Sequence, residues 1–554
     1  MTFFKLISLI TKKEWHFVAF LSLALIFITT LPLIFGWLIR PFNSQFIGTH
    51  FAMLVDWFVY YSYIEQTRQG HLLFFDLFTS EPHRAVLNIF WLLVGILVKY
   101  LNLTNIFAFN LVRIVLIPIF LVLAYLFVSL IFDELKKRKV TLLILSFSSG
   151  AGFLLIDRLI RFPGNFVNGR LNWPMDLWVP ELNTFATLYY SPHLIASYIL
   201  IVYIFLLTIL FVNNQKLVYS IPAGLASLFL ISFHPFHALT IFSVILVYLG
   251  IIILVKKRII WPYIFYYCII GSISLPAVMY YAYLIRYDNV TRLKYIQNIC
   301  LTTPFWLTIF SLGILFFLAL WGIWLIRGKK VINSDIGSPP AFLSVWFLVQ
   351  LGLLYTPVLF QRRLSEGLHF PLVVLSLIAW YYFYEQFLSE KSGLKKFFIS
   401  QKEILLVFAL VFLSLSNLFL ISSDIYMYQN RKGFTYIEKD LIQAMDFLKN
   451  KKDSFVVFNT SQNIVNIIPA FTGKSVYTGH GVETISFFAK QKEVDWFFKT
   501  NRAESIEKNF LLKRKMSYIF YTDLEQQLGE YNPQNKDYLQ LVFENSKVKI
   551  YQVK

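Results

Sequence analysis

The chain has 554 residues, of which 57% are hydrophobic and only 15% are charged, and its mean hydropathy is +0.61. A soluble globular protein is about 45–50% apolar and about 25% charged, so the apolar excess must be buried in something other than one protein core. The 50 Lys and Arg against 31 Asp and Glu give a net charge of +19, and the two cysteines exclude a disulfide framework. This composition predicts a polytopic α-helical membrane protein.

Eleven apolar runs approach the roughly 20 residues that a membrane-spanning helix needs. The first, residues 17–39, is too long for the core of a signal peptide and is predicted to be a retained anchor. We therefore expect about eleven spans. The other runs lie near residues 106–132, 140–157, 191–212, 217–233, 237–255, 259–283, 304–326, 341–360, 368–388 and 403–421.

The basic residues cluster in short loops between these runs, which indicates cytoplasmic loops of a cell-membrane protein rather than nucleic-acid binding. Attraction to anionic lipid is a compatible second role. Residues 86–103 are also apolar, but a span there would invert every later loop, so we interpret them as a half-buried or juxtamembrane helix. The N-terminus is then cytoplasmic and the C-terminus extracytoplasmic. The loops that set this orientation are Lys12–Lys13, Lys136–Lys139, Lys216, Lys256–Arg258, Arg327–Lys330 and Lys391–Lys396.

The composition changes near residue 424, where charged and amide residues become common. This change predicts two domains, a membrane region over residues 1–423 and an extracytoplasmic α/β domain over residues 424–554. Residues 442–448 have the periodicity of an amphipathic helix. Short runs rich in aromatic and β-branched residues predict strands, and helices that alternate with strands favour a small α/β domain. The predicted strands are residues 455–458, 518–521, 539–543 and 548–553.

The first predicted external loop carries a carboxylate among aromatic residues, Asp56 in the run DWFVYYSYI. Such surroundings at a membrane face remove water from a carboxylate, raise its pKa and favour a role as a base. The alternative role is the N-cap of an interfacial helix, and the two roles are compatible. Further along the same loop, Glu81 and His83 are candidates for binding a substrate.

The second external loop and the residues that close it concentrate carboxylate, amide and imidazole groups between Pro and Trp residues. Asp176 and Glu181 are candidate acids or bases, and Asn183 and His193 are candidate binding residues. Oxygen and nitrogen atoms at this density suit a divalent cation, or a carboxylate pair that acts on a hydroxyl nucleophile. The alternative is a folded loop whose polar groups satisfy one another, with His193 in plain hydrogen bonding.

Two further breaks in the apolar pattern carry polar residues. His234 and His237 flank a Pro-Phe dipeptide, and irregular backbone at membrane depth is tolerated only where it lines a cavity or is buried in protein. These histidines could bind a metal or hydrogen-bond a phosphate. Arg362 and Arg363 end an apolar run on the predicted outer side, where forked guanidinium bonds suit a phosphate or pyrophosphate. Pairing with Glu366 or with lipid headgroups is the alternative.

Taken together, these motifs resemble those of the GT-C superfamily of membrane glycosyltransferases, which includes protein O-mannosyltransferases, oligosaccharyltransferase catalytic subunits and aminoarabinose transferases. Those proteins place an essential Asp just after the first span, in a long external loop with juxtamembrane helices, and Asp56 with residues 57–103 is similar to that element. An uncharacterised prokaryotic branch is similar over almost the whole chain. The motifs that carry this resemblance are DWFVYYSYIEQTRQG, FTSEPH, DLWVPELNTF with SPH, HPFH, QRRL and TGKSVYTGHGVET.

The resemblance implies a sugar donor carried on a polyprenyl phosphate or pyrophosphate, with transfer on the extracytoplasmic side of the membrane. By analogy, Asp56 would be the base or would orient the acceptor, and Glu181 or Asp176 would be the second acid. Asp56 and Glu181 would be the candidate ligands if a divalent metal takes part. The chain has Asp56 followed by Trp57 where the mannosyltransferases have an Asp-Glu pair, and it lacks the Trp-Trp-Asp motif of the oligosaccharyltransferases. The resemblance therefore does not extend to the acceptor or to the metal.

Two other classes of protein compete with a transferase. A transporter or flippase of a lipid-linked or anionic solute needs alternating access and usually has polar residues near the membrane midplane. The polar residues here cluster on one predicted face, which favours an enzyme. A scaffolding protein would leave the loop carboxylates scattered instead of converging.

Overall fold

The computed structural model describes residues 3–161, 166–167, 169–331, 335–389, 402–451, 453, 455–459 and 462–554. The predicted cytoplasmic loop Lys391–Lys396 lies outside the described residues. Two compact units are each assembled from separate stretches of the chain. The helical unit comprises Met1–Pro32, Leu111–Tyr280 and Ile299–Ser423, and the mixed unit comprises Leu33–Asn110, Tyr281–Asn298 and Asp424–Lys554.

The predicted domain boundary near residue 424 coincides with one boundary of these units. The mixed unit also contains residues 33–110 and 281–298, which the sequence analysis had assigned to the membrane region. The tail thus belongs to a larger unit that includes the first predicted external loop.

Helices dominate the described chain. Their bounds are Phe3–Ser8, Lys12–Leu38, Asp56–Arg68, Ile89–Leu101, Asn105–Ser129, Leu135–Phe147, Ile156–Arg161, Thr184–Tyr190, Pro192–Asn214, Ser220–Phe233, His237–Lys256, Trp261–Tyr287, Asn289–Gln297, Phe305–Leu312, Ile314–Arg327, Pro339–Leu353, His369–Ser389, Lys402–Leu413, Leu415–Gln429, Lys439–Lys449, Gln462–Thr472, Phe487–Lys499, Glu504–Lys513 and Asp523–Leu528. Short 3-10 helices are Phe51–Met53, Gly152–Leu155, Met175–Leu177, Pro180–Leu182, Leu217–Tyr219 and Gln361–Ser365.

Within the described residues, six helices are long and apolar enough to cross a membrane. Two further apolar stretches are broken: Phe305–Leu312 and Ile314–Arg327 meet at 86°, and Leu406–Leu413 and Leu415–Gln429 meet at 50°. The sharper bend falls at Gly313, whose φ of +61° favours glycine because a Cβ is disfavoured there. The count is eight if each bent pair is one span, so the prediction of eleven spans is not confirmed.

The helix that was predicted to be half-buried or juxtamembrane is Ile89–Leu101. Its 13 residues extend about 20 Å, which is shorter than a hydrocarbon core of about 30 Å. It packs closely on helix Asp56–Arg68, since a Cβ added at Gly95 would lie 2.3 Å from Cβ of Thr67. Tyr60 also stacks on Trp91 with ring centroids 4.7 Å apart. These contacts hold the aromatic residues after Asp56 against helix Ile89–Leu101.

A five-stranded sheet lies within the tail. Its order is Ser475–Val476, Val456–Phe458, Met516–Thr522, Val548–Val553, Leu539–Glu544. The first three strands pair in parallel and the last two pairings are antiparallel. The four predicted strands are confirmed, and Ser475–Val476 is an additional one. Shorter antiparallel pairs join Ser44–Phe46 to Tyr436–Glu438 and Phe166–Val167 to Arg170–Leu171.

Alternating side chains on the central strand enter two separate apolar clusters. Ile519 packs with Phe458, Phe497 and Phe498, whereas Phe520 packs in the other cluster, which includes Ile468. Successive strand residues point to opposite faces of a sheet, so helices cover both faces. The tail sheet is therefore covered by helices on both faces, which agrees with the predicted α/β character of the tail.

Candidate functional site

Asp56 is the first residue of helix Asp56–Arg68, and Val55 occupies the N-cap position. The N-cap alternative therefore does not describe Asp56. Its carboxylate Oδ1 lies 2.9 Å from Nε2 of His480, a residue 424 positions later. The Asp56 side chain is 44% exposed and that of His480 only 7%, so a buried imidazole holds a carboxylate that solvent can reach.

The tautomer of His480 follows from its second ring nitrogen. When the ring is neutral, Nδ1 accepts hydrogen bonds from the backbone N–H groups of Val482 and Glu483, at 3.2 and 3.4 Å, and these two long bonds are lost when Nδ1 is protonated. We assign the proton of the neutral ring to Nε2, which donates it to Asp56. Burial lowers the pKa of His480, but the hydrogen bond and the charge of Asp56 outweigh burial and raise the pKa above the usual value.

This raised pKa predicts a pH-dependent contribution to stability. The ion pair stabilises the folded protein below the ordinary histidine pKa of about 6.5, and the contribution is lost as the pH rises through the raised value. We expect His480→Gln to lower the Tm of the purified protein by about 1–2 °C at pH 6 and by less at pH 9. Exposed His71 provides the control substitution His71→Gln. Equal Tm losses at both pH values would contradict the assigned ion pair.

A partly buried ion-pair network lies in the same unit. Lys294 Nζ is 2.9 Å from Asp76 Oδ2 and also contacts the Glu483 carboxylate. Burial opposes the charge of Lys294, but the two carboxylates raise its pKa well above the usual range. Burial raises the pKa of Asp76, whereas the charge of Lys294 overcomes burial and lowers that of Glu483. Three segments distant in sequence are thus joined next to His480.

Further contacts fasten the tail segment TGKSVYTGHGVET to the first loop. Thr484 Oγ1 donates to the backbone oxygen of Phe78 at 2.7 Å and accepts from Gly479 N at 2.9 Å. Lys490 Nζ lies 2.8 Å from Glu81, a predicted binding residue. The tail segment TGKSVYTGHGVET therefore lies beside Asp56.

His83, the other predicted binding residue of this loop, has both ring nitrogens on backbone groups. Nε2 accepts from Asp76 N at 2.9 Å, and Nδ1 lies 2.7 Å from the carbonyl oxygen of Glu81. The ring thereby closes the turn between residues 76 and 83. Its contacts are those of a residue that shapes the loop, and substrate binding by His83 stays a prediction.

In the helical unit, Glu366 brings together the two histidines of the HPFH motif. Its Oε2 is 2.6 Å from His237 Nε2 and 3.7 Å from His234 Nδ1. Ser197 Oγ donates to Oε1. His193 packs edge-on against His234 with ring centroids 4.9 Å apart, and its Nδ1 lies 2.6 Å from Ser191 Oγ. His234 and His237 were predicted site residues, whereas the carboxylate of Glu366 joins them only through the fold.

The two predicted phosphate-binding arginines lie over aromatic rings. Cζ of Arg362 is 4.4 Å from the ring centroid of Trp178, and Cζ of Arg363 is 5.5 Å from that of Phe236. Arg362 forms no ion pair within the described residues, and its buried Nε has no hydrogen-bond partner there. Cation–π contact orients the guanidinium without neutralising it. Arg362 thus keeps the capacity to bind an anion.

Glu181 lies on the 3-10 helix Pro180–Leu182, which packs against the 3-10 helix Gln361–Ser365 that carries both arginines. Its half-buried side chain makes no hydrogen bond or ion pair with any described residue. Glu181 and the arginine pair therefore belong to one region of the helical unit. Asp56 belongs to the mixed unit, and a metal ion shared by Asp56 and Glu181 stays a prediction.

Asp176 and Asn183 are engaged in holding the second loop together. Asp176 is 1% exposed, and its Oδ2 accepts from Gly152 N at 2.9 Å and from Ser416 Oγ at 2.6 Å. Asn183 caps helix Thr184–Tyr190 through a 2.8 Å bond to the N–H of Ala186. Both residues thus stabilise the loop, as the second alternative predicted, although Asp176 Oδ1 and Asn183 Nδ2 are buried without a hydrogen-bond partner among the described residues. We therefore leave Asp176 out of the catalytic groups proposed below.

Four residues at these sites were not among the predicted site residues: His480, Lys294, Asp76 and Glu483. His480 and Glu483 lie in the tail motif TGKSVYTGHGVET, for which no residue role was predicted. Lys294 stood in a loop with no motif. Two sequence signals pointed to these residues: the tail motif that contains His480 and Glu483, and the placement of charged residues in loops predicted to face the same side of the membrane.

The fold of this chain is similar to that of solved proteins. No family model and no curated protein matches the chain. Solved structures do, and they are GT-C membrane glycosyltransferases. The chain is a multi-pass membrane protein with the GT-C fold, and the resemblance seen in the motifs is confirmed at the level of the fold.

Three solved structures illustrate the similarity. The Archaeoglobus fulgidus oligosaccharyltransferase with a tethered acceptor peptide containing the NVT sequon has a TM-score of 0.54 at 14% identity, covering 92% of this chain and 69% of that one. The archaeal oligosaccharyltransferase AglB from Archaeoglobus fulgidus, with an inhibitory peptide and a dolichol-phosphate, has a TM-score of 0.52 at 12% identity, covering 92% and 70%. ArnT from Cupriavidus metallidurans bound to undecaprenyl phosphate has a TM-score of 0.50 at 9% identity, covering 98% of both chains. At these identities the similarity defines the fold alone.

Proposed function

We propose that this protein is a glycosyltransferase that moves a sugar from a polyprenyl-phosphate-linked donor to an acceptor on the extracytoplasmic face of the cell membrane. The observation that carries the proposal is a GT-C fold in which Asp56, held by His480, follows the first long apolar helix. Two of the similar structures contain a polyprenyl phosphate, dolichol-phosphate in AglB and undecaprenyl phosphate in ArnT. These ligands support a donor of the same chemical class here.

Asp56 has the properties of a general base. Its carboxylate is 44% exposed, so an acceptor hydroxyl or amine can reach it, and His480 fixes its orientation. A positioned carboxylate that removes a proton in the transition state contributes typically about 10²–10⁴-fold to a rate. We assign Asp56 the acceptor proton and His480 the role of a positioning residue.

Arg362 and Arg363 have the properties of an anion site. A guanidinium that is stacked on Trp178, and that no described carboxylate neutralises, suits the phosphate of the donor. In the proposed step the acceptor oxygen or nitrogen attacks the anomeric carbon, and the bond from that carbon to the phosphate oxygen breaks. The polyprenyl phosphate leaves with the bonding electrons, and direct displacement inverts the anomeric configuration.

The test is turnover of a defined donor. The purified full chain in lipid nanodiscs is incubated with a panel of hexosyl and pentosyl undecaprenyl and dolichyl phosphates, and the release of polyprenyl phosphate is measured. We expect slow hydrolysis of the correct donor even without an acceptor. A second preparation holds the protein in sealed vesicles, where movement of the donor across the bilayer is measured. Donor that crosses uncleaved, together with no release of polyprenyl phosphate in nanodiscs or in vesicles, would overturn the proposal in favour of a transporter.

Replacement of one arginine tests the anion site. We expect Arg362→Gln to raise the KM for the donor by about tenfold or more, because a charge-assisted bond to phosphate contributes about 1.5–3 kcal/mol. Arg292, whose exposed side chain hydrogen-bonds Asn289, provides the control Arg292→Gln. An unchanged KM in Arg362→Gln would remove this residue from the donor site.

A further inference from the structure

Three side chains of metal-ligand type meet inside the helical unit. His234 is the C-cap of helix Ser220–Phe233, His237 begins the next helix, and Glu366 follows the 3-10 helix Gln361–Ser365. One ligand atom from each lies within 4.8 Å of the other two. The histidines alone were a weak signal in the sequence, because two ligands do not hold a metal. The fold adds the third ligand from 129 residues away.

The surroundings of Glu366 fix its position. Gln350 Nε2 donates to the backbone oxygen of Glu366 at 2.6 Å, and the indole of Trp346 holds that amide through a 2.6 Å bond to Oε1. Ser197 donates to the second carboxylate oxygen. A carboxylate held in this way by neighbouring hydrogen bonds is the arrangement that orients metal ligands in proteins.

One ring nitrogen of His234 has no hydrogen-bond partner among the described residues, and a metal ion would bind it. Its side chain is 8% exposed, and its buried Nδ1 has no hydrogen-bond partner within the described residues. That nitrogen lies 3.7 Å from the carboxylate oxygen that also contacts His237. A buried polar atom without a hydrogen-bond partner destabilises the fold, and a cation between these atoms would give His234 Nδ1 a partner. The hydrogen bond of His237 to Glu366 explains two members of the cluster but not His234.

We propose that His234, His237 and Glu366 bind a zinc ion. Two imidazoles and one carboxylate are a common ligand set of zinc sites that keep a fourth position open for water or substrate. Magnesium is a poorer candidate, because it prefers oxygen ligands. Tetrahedral zinc with bonds of about 2.0–2.1 Å separates its ligand atoms by roughly 3.4 Å. His234 and Glu366 already have nearly this spacing, and His237 would move back by about 0.8 Å when zinc replaces the shared proton.

The zinc site is tested by metal content and metal spectroscopy, independently of glycosyl transfer. The purified full chain is stripped with a chelator, dialysed and titrated with zinc sulfate alone. We expect one tightly bound zinc per chain by elemental analysis and a rise in Tm with zinc. Cobalt in place of zinc should give the intense visible absorption of a tetrahedral site. X-ray absorption at the zinc edge should show two imidazoles.

Substitutions then assign the ligands. We expect His237→Gln and Glu366→Gln each to weaken zinc binding by about 100-fold or more, since even the loss of an outer partner costs about 10–100-fold. His193→Gln is the matched control, a buried imidazole next to His234 but outside the ligand set, and should retain zinc.

Two results would overturn the proposal. One is a stripped wild-type protein that binds no zinc, or that binds zinc without imidazole scattering at the absorption edge. Both measurements use the wild-type protein, so they do not depend on the folding of a variant. The other is equal zinc content in wild type, His237→Gln and Glu366→Gln. Because donor turnover does not enter these measurements, failure of the zinc site and failure of the proposed transferase activity are distinguishable.

Discussion

Asp56→Asn is expected to reduce the rate of sugar transfer by about 10²–10⁴-fold while leaving the fold intact. The amide oxygen of asparagine can still accept the hydrogen bond from His480 Nε2, which lies 2.9 Å from the present carboxylate. The substitution therefore removes the basic carboxylate and keeps the geometry. Because the lost interaction forms in the transition state, kcat and kcat/KM should fall together.

The transfer rate of Asp56→Asn is interpretable only if the variant is folded and a control substitution of another carboxylate is measured beside it. At pH 9, where the ion pair with His480 contributes least, the Tm and the elution volume of the purified variant should match those of the wild type. Asp495, an exposed carboxylate on helix Phe487–Lys499, supplies the control Asp495→Asn, which should transfer at the wild-type rate. Asp56→Asn activity within about threefold of wild type would exclude Asp56 as the base.

The second large effect is expected at Lys294. Lys294→Met leaves the carboxylates of Asp76 and Glu483, whose side chains are 7% and 17% exposed, without the cation that neutralises them. Removing one partner of a buried ion pair costs about 3–5 kcal/mol, because the remaining charge is buried without compensation. We expect a clear fall in Tm and faster proteolysis in the segment around His480.

Neutralising the two carboxylates as well distinguishes the effect of lost charge from the effect of lost packing at Lys294. The variant Lys294→Met with Asp76→Asn and Glu483→Gln should recover much of the lost Tm, since it removes the uncompensated charges as well. Arg292→Met, an exposed substitution on the same helix, should change Tm little. A Lys294→Met protein as stable as the wild type would show that the network contributes nothing to stability.

The helices and the tail sheet could be predicted from the sequence, because each depends on local pattern. Apolar runs near the length of a span, and the periodicity of residues 442–448 and 518–521, specify elements whatever their neighbours are. The number of spans was predicted less well. The bend at Gly313 depends on a backbone conformation that an apolar run does not report.

By itself, the sequence determined that this chain is a polytopic membrane protein with an α/β tail, and its motifs indicated the GT-C fold. It also singled out Asp56, the HPFH histidines and the arginine pair as polar residues that an apolar environment does not tolerate without a reason. Only the tertiary structure decided their partners. His480 reaches Asp56 across 424 positions and Glu366 reaches His237 across 129, and such pairs depend on packing of distant segments, which no local pattern encodes. The same packing engaged Asp176 in support of a loop, although its sequence context had suggested a catalytic acid.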